Sequence, residues 1–188
     1  MLGIMSRSVL CISGKRFTGK DTLAGLMVAA AGRRGLALDT YAFAGESKRM
    51  FAAEHPEVDL ARFGERDYKE QWRPALTRFT VDALARDPLV FCCAVMERIE
   101  ASASFALITD LRLRIESDHL GKRAHAIRVA RSDANRAASG WVYDEAQDTH
   151  FTETELDDPA RWSELVTNDG TLAELASHAD ALVSRLLR

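Results

Sequence analysis

Gly14-Lys15-Arg16-Phe17-Thr18-Gly19-Lys20-Asp21-Thr22 follows a short apolar run, residues 8–13 (SVLCIS), and leads into Lys20–Arg33 (KDTLAGLMVAAAGR), whose apolar residues recur at helical spacing. The first run reads as a buried parallel strand. The second reads as a helix closed by Gly35. G-x-x-x-x-G-K between a strand and a helix is the pattern of a loop that cradles phosphate. The glycines let the backbone curl with its N–H groups inward, and the helix N-terminus adds partial positive charge. Lys20 is placed to reach the outer phosphates of a nucleotide, and Gly14, Lys15, Arg16, Thr18 and Gly19 to line its tail. Asp21 stands where a serine or threonine ordinarily meets magnesium, with Thr22 next, so both are candidate metal ligands. The alternative is a turn with no ligand. Three cations in so short a loop, Lys15, Arg16 and Lys20, repel one another unless a polyanion joins them.

Outward from this loop, strand and helix patterns alternate. Residues 36–44 (LALDTYAFA) read as a second strand and 46–54 as a helix ending before Pro56. Residues 67–87 read as a long helix interrupted at Pro74, and Pro88 opens another helix through residue 100. Residues 105–109 (FALIT) and 125–130 (HAIRVA) are further strands, 165–167 a short fifth, and 171–187 a closing helix. This order predicts an α/β fold of three layers, α/β/α, around a parallel sheet of about five strands, with ligands at the strands' carboxyl ends. The polar, acidic stretch 143–158 reads as a mobile loop.

At 188 residues the chain is long enough for one core that buries about 70% of its unfolded surface. A single domain, 1–188, is expected, with acceptor-binding helices at about 45–100 and a lid at about 131–158. A net charge of −3 argues against a nucleic-acid polymer as partner. Cys11, Cys92 and Cys93 are odd in number, and two are adjacent, which suits a reducing cytoplasm better than a disulfide framework. The N-terminal apolar run is too short for a signal core or a membrane span, so no membrane partner is expected. Monomer and dimer both stay open.

Lys69 and Arg73 stand at i and i+4, on one helix face, where two cations can grip an acceptor phosphate, and Arg78 lies further along. Asp110 ends the FALIT strand and is followed by Arg112 and Arg114. Asp110 is a candidate to orient the acceptor oxygen or a magnesium-bound water, and Arg112 to bind phosphate. Arg128, Arg131 and Arg136 precede Gly140-Trp141, and residues 131–139 read as a lid that brings arginines to the transferring group on closing. Surface arginines and a strand-ending aspartate are the plainer alternative. The five histidines lack ligand spacing. His150, Glu153 and residues 155–158 are candidates to shape the acceptor pocket. Together these features predict a kinase using ATP and Mg²⁺ on a small phosphorylated acceptor, with Lys20, Asp110, Arg112 and Arg136 as the catalytic set.

SGKRFTGKD (13–21), Lys48 in ESKRMFAAEH (46–55), YKEQWR (68–73), Arg78, Asp87-Pro88 with Phe91-Cys92, Asp110 with Arg112, Arg128, Arg136 and GWV (140–142) fall in the order and spacing of one family. Through nearly its whole length the chain resembles the animal-type, P-loop phosphomevalonate kinases, within the nucleoside-monophosphate-kinase-like group. The resemblance implies the conversion of phosphomevalonate and ATP to diphosphomevalonate and ADP. It also implies that Lys48, Lys69, Arg73, Arg112, Arg128 and Arg136 bind phosphates. Cys93, Leu113 and Ser139 stand where that family carries arginine, and Thr18 replaces a loop lysine. H-x-T-E-x-x-L-D (150–157) is similar instead to bacterial and phage deoxynucleoside monophosphate kinases. The acceptor therefore stays open between phosphomevalonate, a nucleoside monophosphate and another phosphorylated metabolite. A nucleotide-binding regulator that transfers nothing is the alternative of a different class.

Overall fold

A computed structural model describes residues 8–158 and 161–187. The chain forms two compact units: residues up to Thr40 with those from Ser102 onward, and the intervening Tyr41–Ala101. Among the described residues no helix is long and apolar enough to cross a membrane.

The first unit is built on β1 (Val9–Ser13), α1 (Lys20–Arg33), β2 (Leu38–Tyr41), β3 (Phe105–Ile108), α5 (Arg114–Leu120), β4 (Ala124–Ala130), β5 (Glu164–Thr167) and α9 (Leu172–Leu186). The strands form one sheet in the order β2-β3-β1-β4-β5. Strand β1 runs parallel to β3 (Leu10 beside Leu107) and to β4 (Ile12 beside Ile127, Ser13 beside Arg128), and β4 runs parallel to β5 (Val129 beside Val166). All five β1 residues are buried, as a central strand covered on both faces requires. Leu10, Ile12, Leu107, Ile127, Val129 and Val166 meet Leu23, Met27, Ala30 and Ala31 of α1 and Leu175, Ala179, Leu182 and Val183 of α9 in one apolar core. The i, i+4, i+7, i+8 spacing on both helices is what turns a single stripe toward the sheet. Thr171 and Glu174 cap α9 reciprocally: the Glu174 N–H donates to Thr171 Oγ1 (3.2 Å), and the Thr171 N–H to Glu174 Oε2 (2.6 Å).

The second unit is helical: α2 (Phe43–Glu54), α3 (Arg66–Arg86) and α4 (Val90–Ala101), with a 3₁₀ turn at Leu60–Gly64. Phe51, Val58, Phe63 and Tyr68 form its core, with Trp72 and Phe79 against it. Glu46 is fully buried, and its carboxylate accepts from Arg49 Nε (2.8 Å) and Arg98 Nη1 (3.0 Å). Burial alone raises its pKa, but the two guanidiniums outweigh that and hold it below the ordinary glutamate value.

Three expectations are corrected. The strand expected over 36–44 ends at Tyr41, and Phe43 is already helical and buried, because an apolar run does not itself distinguish strand from buried helix. Helix α3 runs unbroken through Pro74. Residues 73–75 are exposed there, so water can serve the carbonyl that Pro74 cannot. The stretch expected as a loop carries α7 (Glu145–Asp148), begun by an Asp144 cap, and α8 (Phe151–Thr154), begun by a His150 cap. A further helix, α6 (Asp133–Ala138), lies within residues 131–139, behind a Ser132 cap.

Candidate active site

Ser13 ends β1 beside Arg128 of β4, and the chain then turns through the glycine-rich loop into α1. Gly19 takes the left-handed conformation (φ +91°), and a Cβ there would lie 2.3 Å from Asn168 Nδ2. A Cβ on Gly14 would lie 2.6 Å from the Val129 carbonyl oxygen. Both positions therefore need glycine, one for conformation and clearance, the other for close approach. Within the loop the Thr18 hydroxyl donates to the Lys15 carbonyl (2.9 Å), and the Lys20 ammonium donates to that same carbonyl (2.8 Å). Asn168, buried just beyond β5, donates Nδ2–H to the Thr18 carbonyl (2.9 Å) and so ties the loop to the far side of the sheet.

The cations around this loop are held by carboxylates from the 144–157 stretch. Glu153, only 7% exposed, accepts the main-chain N–H of Arg16 on Oε2 (2.9 Å), while its Oε1 pairs with Arg112 Nη1. Asp157 pairs with Lys15 (2.8 Å) and with Arg128 (2.5 Å), whose other terminal nitrogen donates to the Ser13 hydroxyl (3.0 Å). Arg128 also lies 5.2 Å from the Trp162 ring centroid. Arg136, 5% exposed, donates Nε–H to the Arg16 carbonyl (2.9 Å), bonds Asp133 and Asp148, and sits 3.8 Å over the Trp141 ring. It is therefore already fastened to the loop backbone rather than carried on an open lid. Lys15, Thr18, Arg131, Arg136, Trp141 and Tyr143 are among the residues lining a cavity of about 380 Å³.

Burial, with the nearby charges of Arg112 and Arg128, lowers the Lys20 pKa from 10.5 to about 8, against the opposing pull of Glu153 and Asp21. Burial likewise raises Glu116 to about 7, even though its Oε2 accepts the N–H groups of Arg112 (3.0 Å) and Leu113 (2.9 Å). Those bonds anchor the turn between β3 and α5 on which Asp110 and Arg112 stand. The Leu111 N–H donates to the Ile12 carbonyl (3.1 Å) and lays that turn beside the end of β1.

Of the residues singled out from sequence, Gly14, Lys15, Arg16, Thr18, Gly19, Lys20, Arg112, Arg128 and Arg136 are joined by these bonds and charges at the carboxyl ends of β1 and β4. Asp21 and Thr22 are exposed on the first turn of α1. Lys48, Lys69, Arg73 and Arg78 belong to the helical unit: Lys48 on α2, 6.0 Å from the Phe63 ring centroid, and the others exposed on α3, where Arg73 pairs with Glu70 (2.6 Å). Asn168, Glu116 and Asp148 escaped the sequence reading. For Asn168 the one local signal is a polar residue directly after a strand.

A strand-loop-helix phosphate cradle at the end of a parallel sheet, ringed by arginines and lysines, defines a phosphotransferase of the P-loop class. The fold is shared with the crystal structure of TT1252 from Thermus thermophilus, which matches with a TM-score of 0.58 over 96% of this chain and 98% of that one, at 19% identity. A gluconokinase from Sinorhizobium meliloti 1021 aligns at a TM-score of 0.48 and 18% identity over 95% of this chain and 93% of that one, too loosely to add to this. In sequence, residues 12–125 match the phosphomevalonate kinase family. A phosphomevalonate kinase of Drosophila melanogaster is 27% identical over 187 residues, covering 95% of this chain and 96% of that one. The chain belongs to the phosphomevalonate kinase family and is a kinase.

Proposed function

We propose that this kinase transfers the γ-phosphoryl group of ATP to the phosphate of phosphomevalonate, forming diphosphomevalonate and ADP. The observation that carries the reading is the convergence of Lys15, Lys20, Arg112 and Arg128 on one phosphate loop in a chain of this family. The loop and the α1 N-terminus hold the donor's outer phosphates, and Lys20 exchanges the Lys15 carbonyl for phosphate oxygens. Arg112 and Arg128 balance the charge that spreads over the transferring group, and Asp110 orients the acceptor oxygen. Lys48, Lys69, Arg73 and Arg78 serve the acceptor's own phosphate.

Mg²⁺ fits the residues present. Among the described residues no group of three metal-binding side chains could cage an ion alone, but Asp21 and Thr22 are exposed beside the loop. Magnesium typically takes one or two protein oxygens and completes its shell with nucleotide phosphates and water. Bound there, it would neutralise phosphate charge. The odd, partly adjacent cysteines support a cytoplasmic setting.

The test is ADP release with a panel of acceptors: phosphomevalonate, several nucleoside monophosphates and related phosphorylated metabolites. Phosphomevalonate is expected to raise ATP turnover by about 10²-fold or more over the acceptor-free rate, because water is a poor substitute for a positioned acceptor. Preference for a nucleoside monophosphate would overturn the acceptor, and absence of turnover with every member would overturn the reading.

A further inference from the structure

We infer that Glu153 is a positioning residue for phosphoryl transfer: its carboxylate locks the Arg112 guanidinium to the main chain of the phosphate loop, so that acceptor-side cation and donor cradle keep one geometry. The inference rests on the proposed role of Arg112 at the transferring phosphate. Glu153 comes from α8, 137 residues from its partner Arg16 and 41 from Arg112. Each of its oxygens is committed, Oε2 to the Arg16 N–H and Oε1 to Arg112 Nη1. A carboxylate this buried is costly to desolvate unless cations and donors surround it in fixed positions, and it lies close enough to act on the charges of Lys20 and Arg128 as well. Leu156, 2% exposed, seats the chain just beyond α8, while the His150 ring caps its first turn. Asp157 also bridges two cations, Lys15 and Arg128, but its side chain is 40% exposed, so solvent screens it. Glu153 is the more rigid brace. It meets the loop at the Arg16 N–H, upstream of Gly19 and Lys20.

The experiment uses the full chain and whichever acceptor the wild type turns over best, so that an error in the acceptor appears in the wild-type row and not in the comparison of variants. Glu153→Gln is expected to lower kcat about 10- to 100-fold while the ATP dissociation constant and melting temperature change little. Glu153→Asp, which keeps the charge one methylene back, recovers part of the loss. The double variant Glu153→Gln/Arg112→Ala is expected to be no slower than Arg112→Ala alone, within about three-fold, because the two side chains act as a unit. Additive losses, an unchanged kcat, or a tighter affinity of Glu153→Gln for inorganic phosphate would overturn the inference, the last by making Glu153 a plug that phosphate displaces. If Glu153→Gln fails to fold, Glu153→Asp decides alone: a lower kcat at unchanged melting temperature supports the brace, and an unchanged kcat refutes it. If the wild type turns over no acceptor, hydrogen exchange decides. Faster exchange at the Arg16 amide of the variant, with α9 still protected, supports the brace, and unchanged exchange refutes it.

Discussion

Lys20 carries a charge that its surroundings disfavour, since its ammonium is buried near two guanidiniums and donates to the main-chain carbonyl of Lys15. Below about pH 8 the group is charged in folded and unfolded chains alike, and the burial penalty is felt in full. Between about 8 and the unfolded value of 10.5 the folded state binds fewer protons, so the group's contribution to stability rises with pH across that window. Nucleotide phosphates favour the ammonium, so ATP binding is expected to take up part of a proton near pH 8.5, and affinity to fall as pH rises further. Calorimetry in buffers of different ionisation heat checks this, and Lys20→Met should abolish the uptake. At this scale the loop residues are legible because their requirements are local: Gly19 needs positive φ, and Lys20 follows it directly. Asn168 is not, and Glu153 is legible only as a residue near the acceptor pocket, because what makes each matter is a partner more than a hundred residues away.

Helices α1 and α9 are read correctly from spacing alone, since each presents one apolar stripe to the sheet. Leu182, 4% exposed in that core, provides the quantitative check. Leu182→Ala is expected to cost about 2–5 kcal/mol in urea unfolding, and Thr171→Ala, which removes the α9 cap, about 1 kcal/mol. Equal effects would mean that packing is not what holds α9. The elements misread are those where local preference and tertiary setting part. Phe43 looks like strand by composition but is buried as helix, and Pro74 is tolerated on a solvent-facing helix. The two short helices after Gly140 are too brief to show a period. Glu145 and Gln147 stay exposed, whereas Asp148 turns to cations: it accepts from Trp141 Nε1 (3.0 Å) and the Asp144 N–H (2.9 Å) beside Arg16 and Arg136.

For the molecule as a whole, the net charge of −3 conceals a local excess of cations at the phosphate loop. Filling that site should therefore stabilise the chain. ATP at about 100 times its dissociation constant is expected to add about 2.7 kcal/mol, read as a rise in melting temperature that Lys20→Met largely removes. No shift with ATP would count against the cradle. The class of fold and the position of the loop were decidable from sequence because strand runs, helical stripes and tight glycine turns depend on neighbours a few residues apart. Which carboxylate meets which cation was decided only in three dimensions. Charge pairing depends on distance through space, and the sheet brings Arg16, Arg112, Arg128, Glu153 and Asp157 together from segments that share no local pattern.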